Sequence, residues 1–293
     1  MRRVVTVIAV SIVLGLAALW VTGGFDQIAY WAAGQQREFQ NTIASALRAV
    51  RSGQAGAIAT LLAACFAYGV VHAAGPGHGK VLIGGYGMAQ GVSMVRLAMI
   101  ALASSLGQAV TAVALVYGGL TLLGWGRETM VGMTEAIMAP VSYGAIALVG
   151  LWLVWRGLRH FRAVSNRTDD TVCASCGHAH GPTIAEIKNA TTWRETLLLI
   201  GSIAVRPCTG ALFVLIITWQ MGIAALGICG AFAMAFGTAV ITVAVGMGAG
   251  ALRNGVLAGV ANSPRAIALS ALVEITAGGC VALVALGLLL RAI

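Results

Sequence analysis

The sequence predicts an all-α, polytopic membrane protein. Three observations carry that prediction. Of 293 residues 59% are hydrophobic and only 9% charged, with a mean hydropathy of +0.91, against roughly one quarter charged in ordinary globular chains. The apolar residues gather in runs long enough to cross a hydrocarbon core as helices, which takes roughly 20 residues each. Gly- and Ala-rich stretches also recur at a fixed offset, as in proteins built from two membrane-embedded halves.

Seven runs qualify, at about 4–22, 56–74, 97–123, 137–156, 196–219, 223–249 and 267–290. The first, "VVTVIAVSIVLGLAALW" behind "MRR", reads as a retained helix, because its apolar core is long for a signal peptide. The polar stretch that follows contains "REFQNTIASALRAVR", whose apolar residues fall near helical spacing and predict an interfacial helix. Residues 1–55 are thus an N-terminal anchor with an external interfacial segment, 56–156 and 195–293 are three-helix units, and 157–194 is a loop.

Lys and Arg set the orientation. With the N-terminus inside, only Arg37, Arg48, Arg51, Arg127 and Arg291 lie outside; Arg206 falls within a span and the other twelve of the 18 cations are cytoplasmic. That bias predicts a bacterial-type inner-membrane protein with a cytoplasmic N-terminus. The net charge of +9 then reflects orientation and contact with anionic lipid. No basic stretch is interleaved with aromatics, so nucleic acid is not an expected partner.

The repeat shows at an offset of 130, where "GQAVTAVAL" (residues 107–115) lies over "GTAVITVAV" (residues 237–245) with five of nine positions identical. An offset of 131 lays Pro76 and Gly79 over Pro207 and Gly210. Each unit holds three helices, and an odd number makes the two units run oppositely through the membrane. A 3+3 inverted repeat after one extra N-terminal helix is therefore expected. In such transporters the substrate site lies near midplane, where Gly- or Pro-interrupted helices of the two halves meet.

The interruptions are "GPGHG" and "RPCTG". On an unbroken helix at about 100° per residue, His72 and His78 would point about 120° apart. Gly75, Pro76 and Gly77 lift that constraint: proline donates no backbone hydrogen bond, and glycine reaches dihedrals closed to other residues. Both rings can then face one point, and imidazole suits nickel, cobalt, copper and zinc. The competing reading is a buried hydrogen-bonding His72, with His78 and Lys80 marking a helix end.

"HAAGPGHGK" together with "RPCTGALFVL" resembles the NicO-type family of nickel/cobalt transporters, over about residues 56–293. The resemblance implies divalent cation transport, usually export of nickel and cobalt, with His72, His78, Pro207 and Cys208 at the positions of the family motifs. Some relatives carry an acidic residue in the first motif where this chain has Gly75, and some are associated with zinc. The chain is thus expected to be a transporter and no enzyme, without a prosthetic group. Its expected cargo is Ni2+ or Co2+, with Zn2+ as an alternative, and any periplasmic or metallochaperone partner is unnamed.

Further donors stand in the second half. Cys208 is a soft ligand or a small packing residue; Cys65, Cys229 and Cys280 read as packing. Glu274 is a lone carboxylate inside the last span, where an unpaired charge is costly. It reads as a partner of Arg206, a metal ligand or a proton carrier. Gln108, Thr111, Thr238 and Thr242 either line the path or bond between helices.

The loop carries "CASCGHAH". Cys173, Cys176, His178 and His180 supply four donors for a tetrahedral, zinc-like site, with a redox pair as the competing reading of the C-x-x-C. A membrane thiol electron carrier is the rival function; it needs two intramembrane cysteines able to meet, and Cys65 is the candidate partner for Cys208.

Overall fold

A long helix precedes the six expected core spans and forms a hairpin with the first of them. In the computed structural model, which describes residues 21–75, 78–89, 92–165, 193–258 and 266–293, no described residue is in a strand. Helix α1 (Gly24–Arg51) ends with Arg48 and Arg51 in its last turn, where cations complement the helix dipole. Gly53 and Gly56 then hold φ at +70° and +79°, left-handed values that favour glycine, and turn the chain into α2 (Ala57–Ala74). The helix expected at the membrane interface is longer than predicted and lies lengthwise on α2. Its buried Ile43, Ala46 and Leu47 join Leu61, Cys65 and Tyr68 in one apolar cluster.

Helix α2 stops at Ala74, with Gly75 in an extended conformation, and α3 (His78–Ala89) begins three residues after Gly75. The sequence did not suggest α3. Four glycines lower its intrinsic helix propensity, and twelve residues are too few to span. Close packing compensates: Leu82, Ile83, Tyr86 and Ala89 are buried, and a Cβ on Gly85 would overlap Val281. Small residues at helix crossings let apolar helices approach in lipid.

Ser93 caps α4 (Met94–Leu122) by accepting from the Arg96 N–H at 3.3 Å. Helix α5 (Arg127–Met133) runs through a π turn at Thr134–Met138 into α6 (Ala139–Ser165), so the third core span starts well before the predicted residue 137. Helices α7 (Trp193–Ala204) and α8 (Thr209–Gln220) are bent by 62° across Val205–Cys208. Helices α9 (Ala224–Ala258) and α10 (Ala266–Ala292) complete the chain.

Five described helical segments are long and apolar enough to cross a membrane, six when the bent pair counts as one. The protein is a multi-pass membrane protein. The expected span at 4–22 falls almost wholly outside the described residues, as do Pro76, Gly77 and most of the 157–194 loop.

At the centre α4 and α9 run antiparallel. Leu97 lies beside Gly246 and Gly250, while at the far end the Tyr117 hydroxyl donates to the Ala224 carbonyl at 2.8 Å. Helices α2 and α3 pack along α9, with Gly237 against the Phe66 carbonyl and Gly84 beside Val245. Helices α7 and α8 pack along α4, where a Cβ on Gly107 would stand 2.7 Å from that of Ala204. The glycine face of α6 meets that of α10: a Cβ on Gly278 would lie 2.7 Å from Leu153 Cβ and 2.9 Å from the Gly150 carbonyl.

That last contact is backbone against backbone, so a valine cannot be accommodated by rotating a side chain. Gly278→Val should cost about 1–3 kcal/mol or more, whereas Gly118→Ala, whose new methyl meets open space, should cost nothing and stabilise by up to about 1 kcal/mol through helix propensity. Thermal melting of the two purified variants checks both.

Candidate metal path at the two helix breaks

Both breaks fall between two apolar clusters. Helix α2 and α8 belong to one, through Leu61, Tyr68, Leu212 and Leu215; α3 and α7 belong to the other, through Leu82, Ile83, Leu199 and Ile203. At Gly75 and again at Val205–Cys208 a helix break coincides with the passage of the chain from one cluster to the other. The start of α8 therefore meets α2, with Gly210 packed against the Tyr68 ring, and the start of α3 meets the end of α7, with Gly79 beside Ile203. Two helix N-termini and two C-termini converge, bringing partial charges of both signs to one level.

His72 sits in the last turn of α2, half-buried. Its ring stacks on Tyr68, with centroids 5.9 Å apart and planes within 9°. The Nδ1 atom lies 3.0 Å from Oε1 of Gln36 on α1. Tyr68 lies also beside the side chains of Gln40, Thr209 and Cys208, so one tyrosine bridges the first break to the second. Cys208 precedes α8, and its carbonyl accepts from the N–H groups of Ala211 and Leu212 at 3.0 and 3.2 Å. With Gln108, Met234 and Thr238 it lines a gap between α4, α8 and α9 that has room for about one water. His78 is the first residue of α3. Lys80 follows in the first turn, and Lys80 and Arg206 are the cations whose fields reach His72.

The freed carbonyls of the second break have a named partner. Gln108 donates to the carbonyls of Ile203 and Arg206 at 3.3 and 3.1 Å. Its counterpart on α9, Thr238, donates to the Gly69 carbonyl at 3.3 Å. Both therefore bond between helices, while Thr111 and Thr242 bond within their own helix, to Gly107 and Thr238. Gln108→Leu would leave two carbonyls without that donor, at about 1–3 kcal/mol each. A fall in the denaturation midpoint, with membrane insertion intact, is the expected result.

The pairing of Arg206 with Glu274 does not occur. Arg206 instead reaches Glu135 in the π turn at 3.2 Å, donates to the Tyr143 hydroxyl, and stands over that ring 5.2 Å from its centroid. Glu274 is engaged from α6, by Arg156 at 3.1 Å and His160 at 3.0 Å, residues one helical turn apart. Burial explains the choice. A carboxylate with 4% of its side chain exposed needs the nearest cations, and α6 packs on α10 on both sides of Glu274, at Ala271 and at Gly278.

Among the described residues no three His, Cys, Asp or Glu side chains form a group able to hold an ion. Cys173, Cys176, His178 and His180 lie outside the described residues. Cys65 is buried, its sulfur 3.2 Å from where a Cβ on Gly230 would sit, as expected of packing. Cys229 and Cys280 are exposed, which corrects their reading as packing residues: glycines and alanines take the inner faces of α9 and α10 instead. Gly75 and Pro207 are buried at the breaks.

Four contributors escaped the sequence reading. Tyr68 carried a signal, being one turn before His72 on the same helix face. Glu135 carried one too, as a carboxylate within an apolar run, the argument applied to Glu274. His160 stands one turn from Arg156 in the same way. Gln36 carried none, because only the fold of α1 onto α2 brings it near.

The family described as High-affinity nickel-transport protein, NicO, matches residues 58–172. A Haemophilus influenzae protein named "Putative nickel/cobalt efflux system" is 30% identical over 250 residues, covering 78% of this chain and 75% of that protein. The chain belongs to the NicO family of nickel-transport proteins. The residues matched to NicO contain the whole first break, α2 to α6. The likeness to the Haemophilus protein extends beyond that segment. No solved structure matches the chain.

Proposed function

We propose that this NicO protein is a secondary transporter that exports nickel or cobalt across the inner membrane, by alternating access at the two helix breaks. The single observation that carries the proposal is the bridge made by Tyr68, which stacks on His72 and lies beside Cys208. A nitrogen donor and a sulfur donor from opposite halves of the chain thus share one wall at the level where four helix ends meet. His72, His78 and Cys208 are the ligands in this reading. Nickel and cobalt accept both donor types, and the name of the Haemophilus relative favours these metals and the outward direction.

The units 56–156 and 195–293 are the rocking halves. Supporting an inverted repeat, Gly107 and Gly237 each accept the broken helix of the opposite half, and Gln108 and Thr238 each bond to its carbonyls. All four obey the offset of 130. In an antiparallel pair, repeat-mates stand level at one point only, and Gln108 and Thr238 line the same gap. The N-terminus and the 157–194 loop are cytoplasmic in this scheme, and the loop thiols and imidazoles gather ions before entry.

Metal accumulation in cells with and without the gene tests the function. Lower nickel and cobalt in expressing cells, with zinc unchanged, is expected; higher nickel would reverse the direction. The loop has its own test. Replacing Cys173, Cys176, His178 and His180 together should raise the half-saturating metal concentration of vesicle flux and leave the maximal rate unchanged, because loop ligands raise local ion concentration without touching the membrane-embedded barrier. A collapsed maximal rate in inserted protein would place the loop inside the transport cycle.

A further inference from the structure

We infer that Gln36, on the helix preceding the NicO-matched region, is a positioning residue that fixes the tautomer of His72 and aims its Nε2 atom at the ion. The inference rests on the reading of His72 as a metal ligand. Its own basis is the 3.0 Å contact between His72 Nδ1 and Gln36 Oε1. An amide oxygen only accepts, so Nδ1 carries the proton and Nε2 keeps its lone pair. A histidine ligand held this way presents one donor atom in one orientation.

The surroundings leave the ring little freedom. Tyr68 stacks on one face with the planes nearly parallel. Gln36 holds the Nδ1 edge, and the same side chain approaches Gly75, whose added Cβ would meet Ala32 at 3.4 Å and Gln36 Nε2 at 4.0 Å. Helix α1 is thereby locked to the first break at two neighbouring points. The turn at Gly53 and Gly56 sets the register that makes this happen: it returns α2 antiparallel to α1, and Gln36 and Gln40 then stand level with His72 and Tyr68.

The chemistry has a consequence for selectivity. Lys80 and Arg206 both act on His72 and oppose an incoming cation. Among the described residues the ring's hydrogen-bond partner is an amide and not a carboxylate, so the proposed site gains its affinity from donor strength and direction. A neutral amide that accepts from Nδ1–H raises the basicity of Nε2 without adding a charge. Metals that bind imidazole strongly gain most from this. The α1 helix is thus part of the metal site, although it lies before the residues matched to the family.

The test uses the purified full-length chain and Ni2+. Gln36→Met keeps the length of the side chain and removes the acceptor; Gln36→Glu keeps an acceptor. Gln36→Met should weaken equilibrium Ni2+ binding about 10–100-fold, and Gln36→Glu should restore it. Nitrogen NMR of 15N-histidine-labelled protein without metal should show His72 protonated at Nδ1 in the wild type and in Gln36→Glu, and shifted toward the Nε2–H form in Gln36→Met. His72→Ala, run beside them, assigns the signal and reports the metal reading separately. If His72→Ala binds Ni2+ normally, the ligand assignment fails while the tautomer signal still judges Gln36. An unchanged tautomer and unchanged affinity in folded Gln36→Met would overturn the proposal.

Discussion

Nickel flux through the His72→Ala variant should fall to background, at least about 100-fold below wild type, in protein that remains folded and inserted. The magnitude follows from position. Removal of an outer partner of a metal ligand typically costs 10–100-fold, and His72 is the ligand itself in the proposed site. Its ring also links α1 to the first break, through Gln36, and the first break to the second, through Tyr68. Alanine leaves a half-buried space in the last turn of α2 but keeps the backbone of both breaks and the helix packing around them, so the helices have no cause to unfold. Initial flux into inside-out vesicles, normalised to the inserted protein, is the measurement. Gln36→Met should fall between the wild type and His72→Ala, because it keeps the ring and loses only its aim.

The largest effect on stability should come from Glu274. Its side chain is almost fully buried between α6 and α10, engaged by Arg156 and His160, and Arg253, also buried, lies within its field. Replacing it by leucine leaves the Arg156 guanidinium with no opposite charge in an apolar setting. Breaking such a pair from one side costs about 3–5 kcal/mol, whereas replacing both partners by apolar groups is often neutral. Glu274→Leu should therefore fail to accumulate in the membrane or melt far below wild type, and Glu274→Leu with Arg156→Met should recover most of the loss. Lack of recovery would mean that Arg253, and not Arg156, is the cation that Glu274 chiefly neutralises.

The sequence revealed the spans because lipid imposes a single rule on them: about twenty apolar residues with every backbone group bonded internally. The runs at 56–74, 223–249 and 267–290 accordingly lie within or almost within α2, α9 and α10. The breaks were legible for the same reason, since proline and clustered glycines cannot be hidden in an apolar run. Helix α3 was not. Its pattern "HGKVLIGGYGMA" is poor helix by propensity and too short to span, and tertiary packing against α7, α9 and α10 stabilises it.

Pairings across the bundle were the least legible feature. Arg206, Glu135 and Glu274 are all conspicuous as charges within apolar sequence, yet nothing local says which meets which. The π turn at Thr134–Met138 brings Glu135 toward the second break, and the glycine seam of α6 and α10 brings Glu274 to Arg156. Gln36 is the extreme case, a polar residue among other polar residues on α1. Its role depends on the register of a hairpin set by two left-handed glycines.

The most direct measurement of the central claim is X-ray absorption at the nickel edge, on purified protein in which Cys173, Cys176, His178 and His180 have been replaced so that the loop cannot contribute. The parent should bind nickel with both imidazole nitrogen and sulfur scattering. The sulfur shell should vanish in Cys208→Ser, and the imidazole pattern should diminish in His72→Ala. Sulfur and imidazole scattering that persist unchanged in both variants would place the ion elsewhere and contradict a path through the two breaks.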